Sequence, residues 1–174
     1  MYNTLMRPNG FLVMGVAGSG KTAFGKMLAE RLSWDFFDAD DYHPSENIAK
    51  MAAGIPLNDS DRIPWLDTLA KLLGTTLTAG HHPVLACSAL KEVYRMQLLD
   101  GQSRIAIIYL KGSYELIWSR LSARQGHYMK PDMLRSQFET LEEPKNALVL
   151  DISMTLDEMV EMVMEKWFGV ANGS

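Results

Sequence analysis

The chain has 174 residues, 47% hydrophobic and 22% charged, with 17 Lys and Arg against 21 Asp and Glu for a formal net charge of −4. That length favours one domain able to bury its own core, and the composition lies outside the disordered range. A pI near 5.5 excludes binding to nucleic acid or to an anionic membrane through bulk charge.

The single cysteine, Cys87, excludes an internal disulfide and a multi-cysteine zinc site, and fits a reducing cytoplasm. It reads as a small buried residue at a strand end, not as a nucleophile. No run approaches the ~20 apolar residues that a membrane span needs. The first eight residues lack the apolar stretch of a signal peptide.

In chain order, the apolar run from Gly10 to Val16 reads as a buried parallel strand. Residues 20–32 follow as a helix, with Phe24, Met27, Leu28 and Leu32 at helical spacing. A second strand is expected from Trp34 to Asp38. Residues 44–80 read as helices broken near Gly54-Ile55-Pro56 and restarted at Asp59-Ser60-Asp61, a capping neighbourhood. Further strands are expected at Pro83–Cys87, Arg104–Leu110 and Leu148–Ile152. Helices are expected at 89–100, 113–125, 132–141 and 155–168. In the last, Leu156, Met159, Val160, Val163 and Trp167 make one apolar stripe that faces the core. Strands alternating with helices imply right-handed crossovers. The expectation is a single three-layer α/β domain over 1–174, with a five-stranded parallel sheet covered on both faces.

Gly15-Val16-Ala17-Gly18-Ser19-Gly20-Lys21-Thr22 matches G-x-x-x-x-G-K-[ST] at every position. The motif leaves an apolar strand and opens a helix, which is its working context. Glycines let successive N–H groups turn inward as an anion nest. Lys21 would reach the β- and γ-phosphates, and the Thr22 hydroxyl would ligate Mg²⁺. No Asn-Lys-x-Asp segment selects guanine, and residues 84–87 do not end in an acid that could hold the metal. Phe36-Phe37-Asp38-Ala39-Asp40-Asp41 supplies one instead. In a strand-like stretch Asp38 and Asp40 would point the same way, at the carboxyl end of the sheet where open α/β folds bind ligands. Arg62 offers a planar fork for a carboxylate, and Trp65 reads best as a core anchor.

Beyond the phosphate loop, the chain resembles the gluconokinases, small P-loop kinases related to shikimate and nucleoside monophosphate kinases. The resemblance is carried by Asp38-x-Asp40-x-x-His43-Pro44, Asn47-x-x-Lys50-Met51 and Gly54-x-Pro56-Leu57-x-Asp59-x-Asp61-Arg62-x-Pro64-Trp65-Leu66. It continues in Cys87-Ser88-Ala89-Leu90-Lys91-x-x-Tyr94-Arg95, Gly126-His127-Tyr128-Met129 and Ser136-Gln137-Phe138-Glu139-Thr140-Leu141-Glu142. Together with the phosphate loop, the resemblance covers nearly the whole chain, from about residue 11 to 168.

The resemblance implies transfer of the ATP γ-phosphate to the 6-hydroxyl of D-gluconate, with Mg²⁺ as the metal. It implies a substrate-binding helical segment over 43–80, a mobile lid over 120–135 and a homodimer. It gives Asp38 to Mg²⁺ and the reacting hydroxyl, Asp40 to sugar-acid hydroxyls and Arg62 to the substrate carboxylate or nearby oxygens. Ser88 and Lys91 become substrate contacts, because they replace a glycine-rich turn of the shikimate kinases. Arg124 becomes a lid arginine on the nucleotide phosphates, with Arg120 one turn earlier on the same helix face. Read alone, these two arginines fit a solvated helix end better than a phosphate site. His43 and His127 are substrate-side candidates, although His43 reads equally as a cap on the turn at Pro44. The linker after Pro144 is shorter than in relatives, so adenine contacts do not carry over. Another small-molecule kinase of this fold, shikimate-like, and a non-catalytic ATP-binding module are the competing readings.

Overall fold

The computed structural model describes residues 7–124 and 130–169. Its strands are β1 (Gly10–Met14), β2 (Asp35–Asp38), β3 (Pro83–Ala86), β4 (Ile105–Lys111) and β5 (Ala147–Asp151). The helices are α1 (Lys21–Leu32), α2 (Ser45–Ala52), α3 (Asp59–Thr78), α4 (Glu92–Leu98), α5 (Tyr114–Ala123), α6 (Pro131–Thr140) and α7 (Leu156–Phe168). The sheet runs β2-β3-β1-β4-β5, and every pairing is parallel. Each expected strand and helix forms, with ends shifted by a few residues at most.

β1 is buried at all positions, yet its side chains still alternate between two cores. Phe11 and Val13 join Phe24, Leu28, Val160 and Val163 on one face of the sheet. Leu12 and Met14 join Trp65, Leu66, Leu69 and Leu73 on the other. Helices therefore cover both faces, which a parallel sheet of this composition requires. The stripe on α7 behaves as expected, with Met159, Val160 and Val163 buried and Leu156 and Trp167 packed at their edge. A Thr155–Glu158 capping box starts that helix.

Two details differ from expectation. The cap of α3 is Asn58, not the Asp59–Asp61 group: its side chain accepts from Asp61 N–H while the Asp61 carboxylate accepts from Asn58 N–H. After β2 the chain does not stay extended; Ala39–Tyr42 forms a one-turn 3₁₀ helix. Asp38 caps that turn, accepting the Asp40 N–H at 3.1 Å. The period-two argument for the two aspartates therefore fails, because a short aspartate at a strand end competes for backbone donors and curls the chain.

Strand order reverses at β1, which has β3 on one side and β4 on the other. Loops leaving neighbouring strands there diverge to opposite faces and open a crevice at their carboxyl ends. The phosphate loop occupies that position.

Candidate active site

The loop between β1 and α1 is shaped by its glycines. Gly18 and Gly20 have φ of 79° and 92°, a region costly for any residue with a Cβ. Space adds a second constraint at Gly18, where a Cβ would lie 2.6 Å from Leu121. The amides of Gly18 and Gly20, and those opening α1, make no hydrogen bond to other described residues. Ser19 Oγ is buried and equally unpartnered among them. Unused donors converging at a helix N-terminus form a seat for a phosphate group.

Lys21 lies alongside, donating from Nζ to the Val16 carbonyl at 3.0 Å. Burial pushes its pKa down, opposed by the nearby charges of Asp40 and Asp38. Thr22 Oγ1 donates to Asp38 Oδ2 at 2.7 Å. No cluster of three acidic, His or Cys side chains among the described residues could hold a metal by itself. A hydroxyl and one carboxylate fit Mg²⁺, which keeps several waters and takes its remaining ligands from substrate phosphates. Thr22 and Asp38 are therefore the side chains suited to hold it.

Asp40 is open to solvent on one side. The protein crowding its other side, together with the Asp38 charge, still pushes its carboxyl above the ordinary range. His43 Nε2 stands 3.8 Å from Asp40 Oδ1, and the His43 ring stacks on Trp65 at 4.2 Å. Burial lowers the pKa of His43, with the Arg62 charge adding to the effect against the pull of Asp40. Trp65 is the core anchor expected of it, and more: its Nε1–H donates to the Ala39 carbonyl at 2.8 Å. It thereby fixes the turn that carries Asp40.

A second group of charges meets where α3 and α4 begin. The Arg62 guanidinium donates to the Leu57 carbonyl and lies over the Tyr94 ring. Lys91 Nζ reaches both Asp59 carboxylate oxygens, at 3.1 and 3.0 Å, and Tyr94 donates its hydroxyl proton to the same carboxylate. Those bonds, from Tyr94 first and then Lys91, hold the Asp59 carboxyl below its usual range. Asp61 is held down by Lys50, 2.7 Å away, and by the Asn58 amide. Ser88 is half-buried beside the phosphate loop, and its carbonyl accepts the Gly15 N–H at 3.4 Å.

Among the residues singled out from sequence, the fold thus gathers Lys21, Thr22, Asp38, Asp40, His43 and Arg62 into one connected region. Arg120 donates to the Ile152 carbonyl at 2.6 Å. Arg124 is exposed at the end of α5, and His127 lies outside the described residues. Cys87 is buried, and burial pushes its thiol up to about 12, in keeping with an inert role. Three residues found here were not singled out for roles: Asp59, Tyr94, and Gln137, whose side-chain oxygen accepts the Ala17 N–H of the phosphate loop. Tyr94 was legible as part of Lys91-x-x-Tyr94, but its bond to Asp59 joins residues 35 apart in sequence.

Residues 17–166 match the family model for shikimate kinase. A thermoresistant gluconokinase of Escherichia coli (strain K12) is 44% identical over 159 residues, covering 89% of this chain and 91% of the relative. A probable gluconokinase of Mus musculus is 44% identical over 178 residues, with 91% and 97% covered. The chain belongs to the gluconokinase family. The crystal structure of a gluconokinase from Sinorhizobium meliloti 1021 superposes on this family member with a TM-score of 0.82, at 37% identity and 94% coverage of each chain. The expected family and the P-loop kinase fold are both borne out. This gluconokinase-family chain is an enzyme of the kinase class acting on a small molecule.

Proposed function

We propose that the chain transfers the γ-phosphoryl group of ATP to the 6-hydroxyl of D-gluconate, giving 6-phosphogluconate and ADP. The observation that carries this reading is the Thr22–Asp38 hydrogen bond. It joins an anion nest to a carboxylate, directly beside a region rich in groups that bind a polyhydroxy acid. Phosphoryl transfer asks the protein mainly for positioning and charge neutralisation. The nest amides and Lys21 hold the β- and γ-phosphates. Thr22 and Asp38 would hold Mg²⁺, which would supply charge neutralisation at the phosphate oxygens. Asp38 orients the attacking hydroxyl, and Asp40 accepts from neighbouring sugar hydroxyls. Arg62 receives the substrate carboxylate, with Ser88, Lys91, His43 and His127 completing the substrate side. Arg124 and Arg120 serve the nucleotide phosphates from the lid.

Compartment and assembly follow the same reading, as a cytoplasmic homodimer. Among the described residues no helix is long and apolar enough to cross a membrane, and the lone cysteine is a free thiol. A coupled assay of ADP release with gluconate, with shikimate and with no acceptor tests the function. Gluconate-dependent turnover is the expected result. Shikimate-dependent turnover, turnover without acceptor, or none at all overturns it.

A further inference from the structure

Most amides of the phosphate loop that lack a backbone partner are free for an incoming anion. Ala17 is the exception. Its N–H donates to the side-chain oxygen of Gln137 at 2.7 Å, a bond across 120 positions of sequence. Because the donor is a backbone amide, Gln137 must present Oε1 there. Its Nε2 has no hydrogen-bond partner among the described residues.

Gln137 lies on α6, the helix that follows the lid segment. α6 does not need this bond in order to dock. Leu134, one turn earlier, is fully buried in the same cluster as Val16 and Leu121. Phe138 meets the Tyr114 ring edge-on at 5.8 Å. The helix pair α5–α6 therefore grips the loop crest in two chemically different ways. Leu121 closes on Gly18 through packing, and Gln137 holds Ala17 through a directional polar bond. Only the second specifies where the loop amides point.

We infer that Gln137 is a positioning residue for the nucleotide, a polar latch between α6 and the phosphate loop. By holding Ala17 it keeps the neighbouring amides in a receptive arrangement before any phosphate arrives, so the ordering cost is not charged to binding. This rests on the reading of the loop as an ATP site. It adds a residue that sets nucleotide affinity without belonging to the G-x-x-x-x-G-K-T motif.

The test uses the full chain with Gln137→Ala and Gln137→Glu. Nucleotide affinity is measured by calorimetry without acceptor, together with KM values and thermal midpoints. The alanine variant loses one neutral hydrogen bond, and its ATP affinity is expected to fall about fivefold. Its gluconate KM should stay near that of the parent. The glutamate variant keeps an acceptor for Ala17, so its thermal midpoint should match the parent. It also places a negative charge beside the nest, so ATP affinity should fall by about tenfold or more, and ADP affinity by less.

Parental ATP affinity in the alanine variant overturns the proposal, whatever the glutamate variant does. So does an alanine variant that loses thermal midpoint but not ATP affinity, since that outcome assigns the bond to docking alone. If the parent binds ATP but does not phosphorylate gluconate, the proposed function falls while these binding arms still decide the role of Gln137. If the parent binds no ATP, both fall.

Discussion

Thr22 and Asp38, sixteen residues apart, share a 2.7 Å hydrogen bond that makes the start of α1 and the end of β2 one polar unit. Neither residue is held there by its own element alone. The Thr22 hydroxyl points outward from the first helical turn. Asp38 divides its two oxygens between that hydroxyl and the Asp40 amide.

Removing either Lys21 or Asp38 should disable chemistry without unfolding the chain. Lys21→Ala and Asp38→Ala are each expected to lower kcat by about 100-fold or more. Far-UV circular dichroism should remain parental, because both side chains sit at the cleft and outside the two apolar cores. Near-normal turnover in a folded Asp38→Ala protein would take that residue out of the mechanism.

Arg62 should act through binding. Arg62→Ala is expected to raise the gluconate KM well beyond its effect on kcat. Arg62→Lys should recover little, since an ammonium cannot reproduce a planar fork toward a carboxylate. Steady-state kinetics on both variants checks this, and an unchanged KM in the alanine variant moves the carboxylate site elsewhere.

The environment of His43 predicts a pH effect on stability. Its folded pKa lies below the ordinary 6.5 because of burial. As pH falls through 6.5 the unfolded chain takes up a proton that the folded chain resists, so stability declines down to the folded value. Asp40, raised by the protein crowding its inner side and by the Asp38 charge, works in the opposite sense as its own carboxyl titrates. Comparison with His43→Gln isolates the imidazole. Urea midpoints at about pH 7.5 and about pH 5.5 should converge in that variant relative to the parent. An equal drop in both proteins removes His43 as the source.

Trp65→Phe preserves an aromatic surface for His43 but leaves the Ala39 carbonyl without its donor. Losing that buried bond should cost about 1–2 kcal/mol. Chemical denaturation measures the loss. Because the same turn carries Asp40, the gluconate KM should rise with it, and a stability loss with no change in KM would separate the turn from substrate binding.

The strands, the phosphate loop and the core stripe of α7 were legible because each is a local pattern with one physical cause. A buried parallel strand, a glycine-shaped nest and an amphipathic helix all write themselves into neighbouring residues. What sequence reasoning missed depends on competition or distance. Asp38 looks like one more extended residue until its carboxylate takes the Asp40 amide and turns the chain. Asp59 looks like a helix cap, but Asn58 wins that place and Asp59 is left for Lys91 and Tyr94 on another helix. Gln137 carries no local signal at all, because its partner is a backbone amide on the far side of the chain.

Cys87 follows the last residue of β3, and its N–H donates to the Val13 carbonyl at 3.0 Å, which ties it to the strand that feeds the phosphate loop. As the chain's single thiol, buried and barely ionised, it is closed to alkylating reagents until that strand pair separates. The protein thus carries a native clock for the opening of its own catalytic edge. The rate at which Cys87 becomes labelled reports how often the ends of β1 and β3 open, and a ligand seated in the loop slows that clock by a factor set by its concentration relative to its Kd.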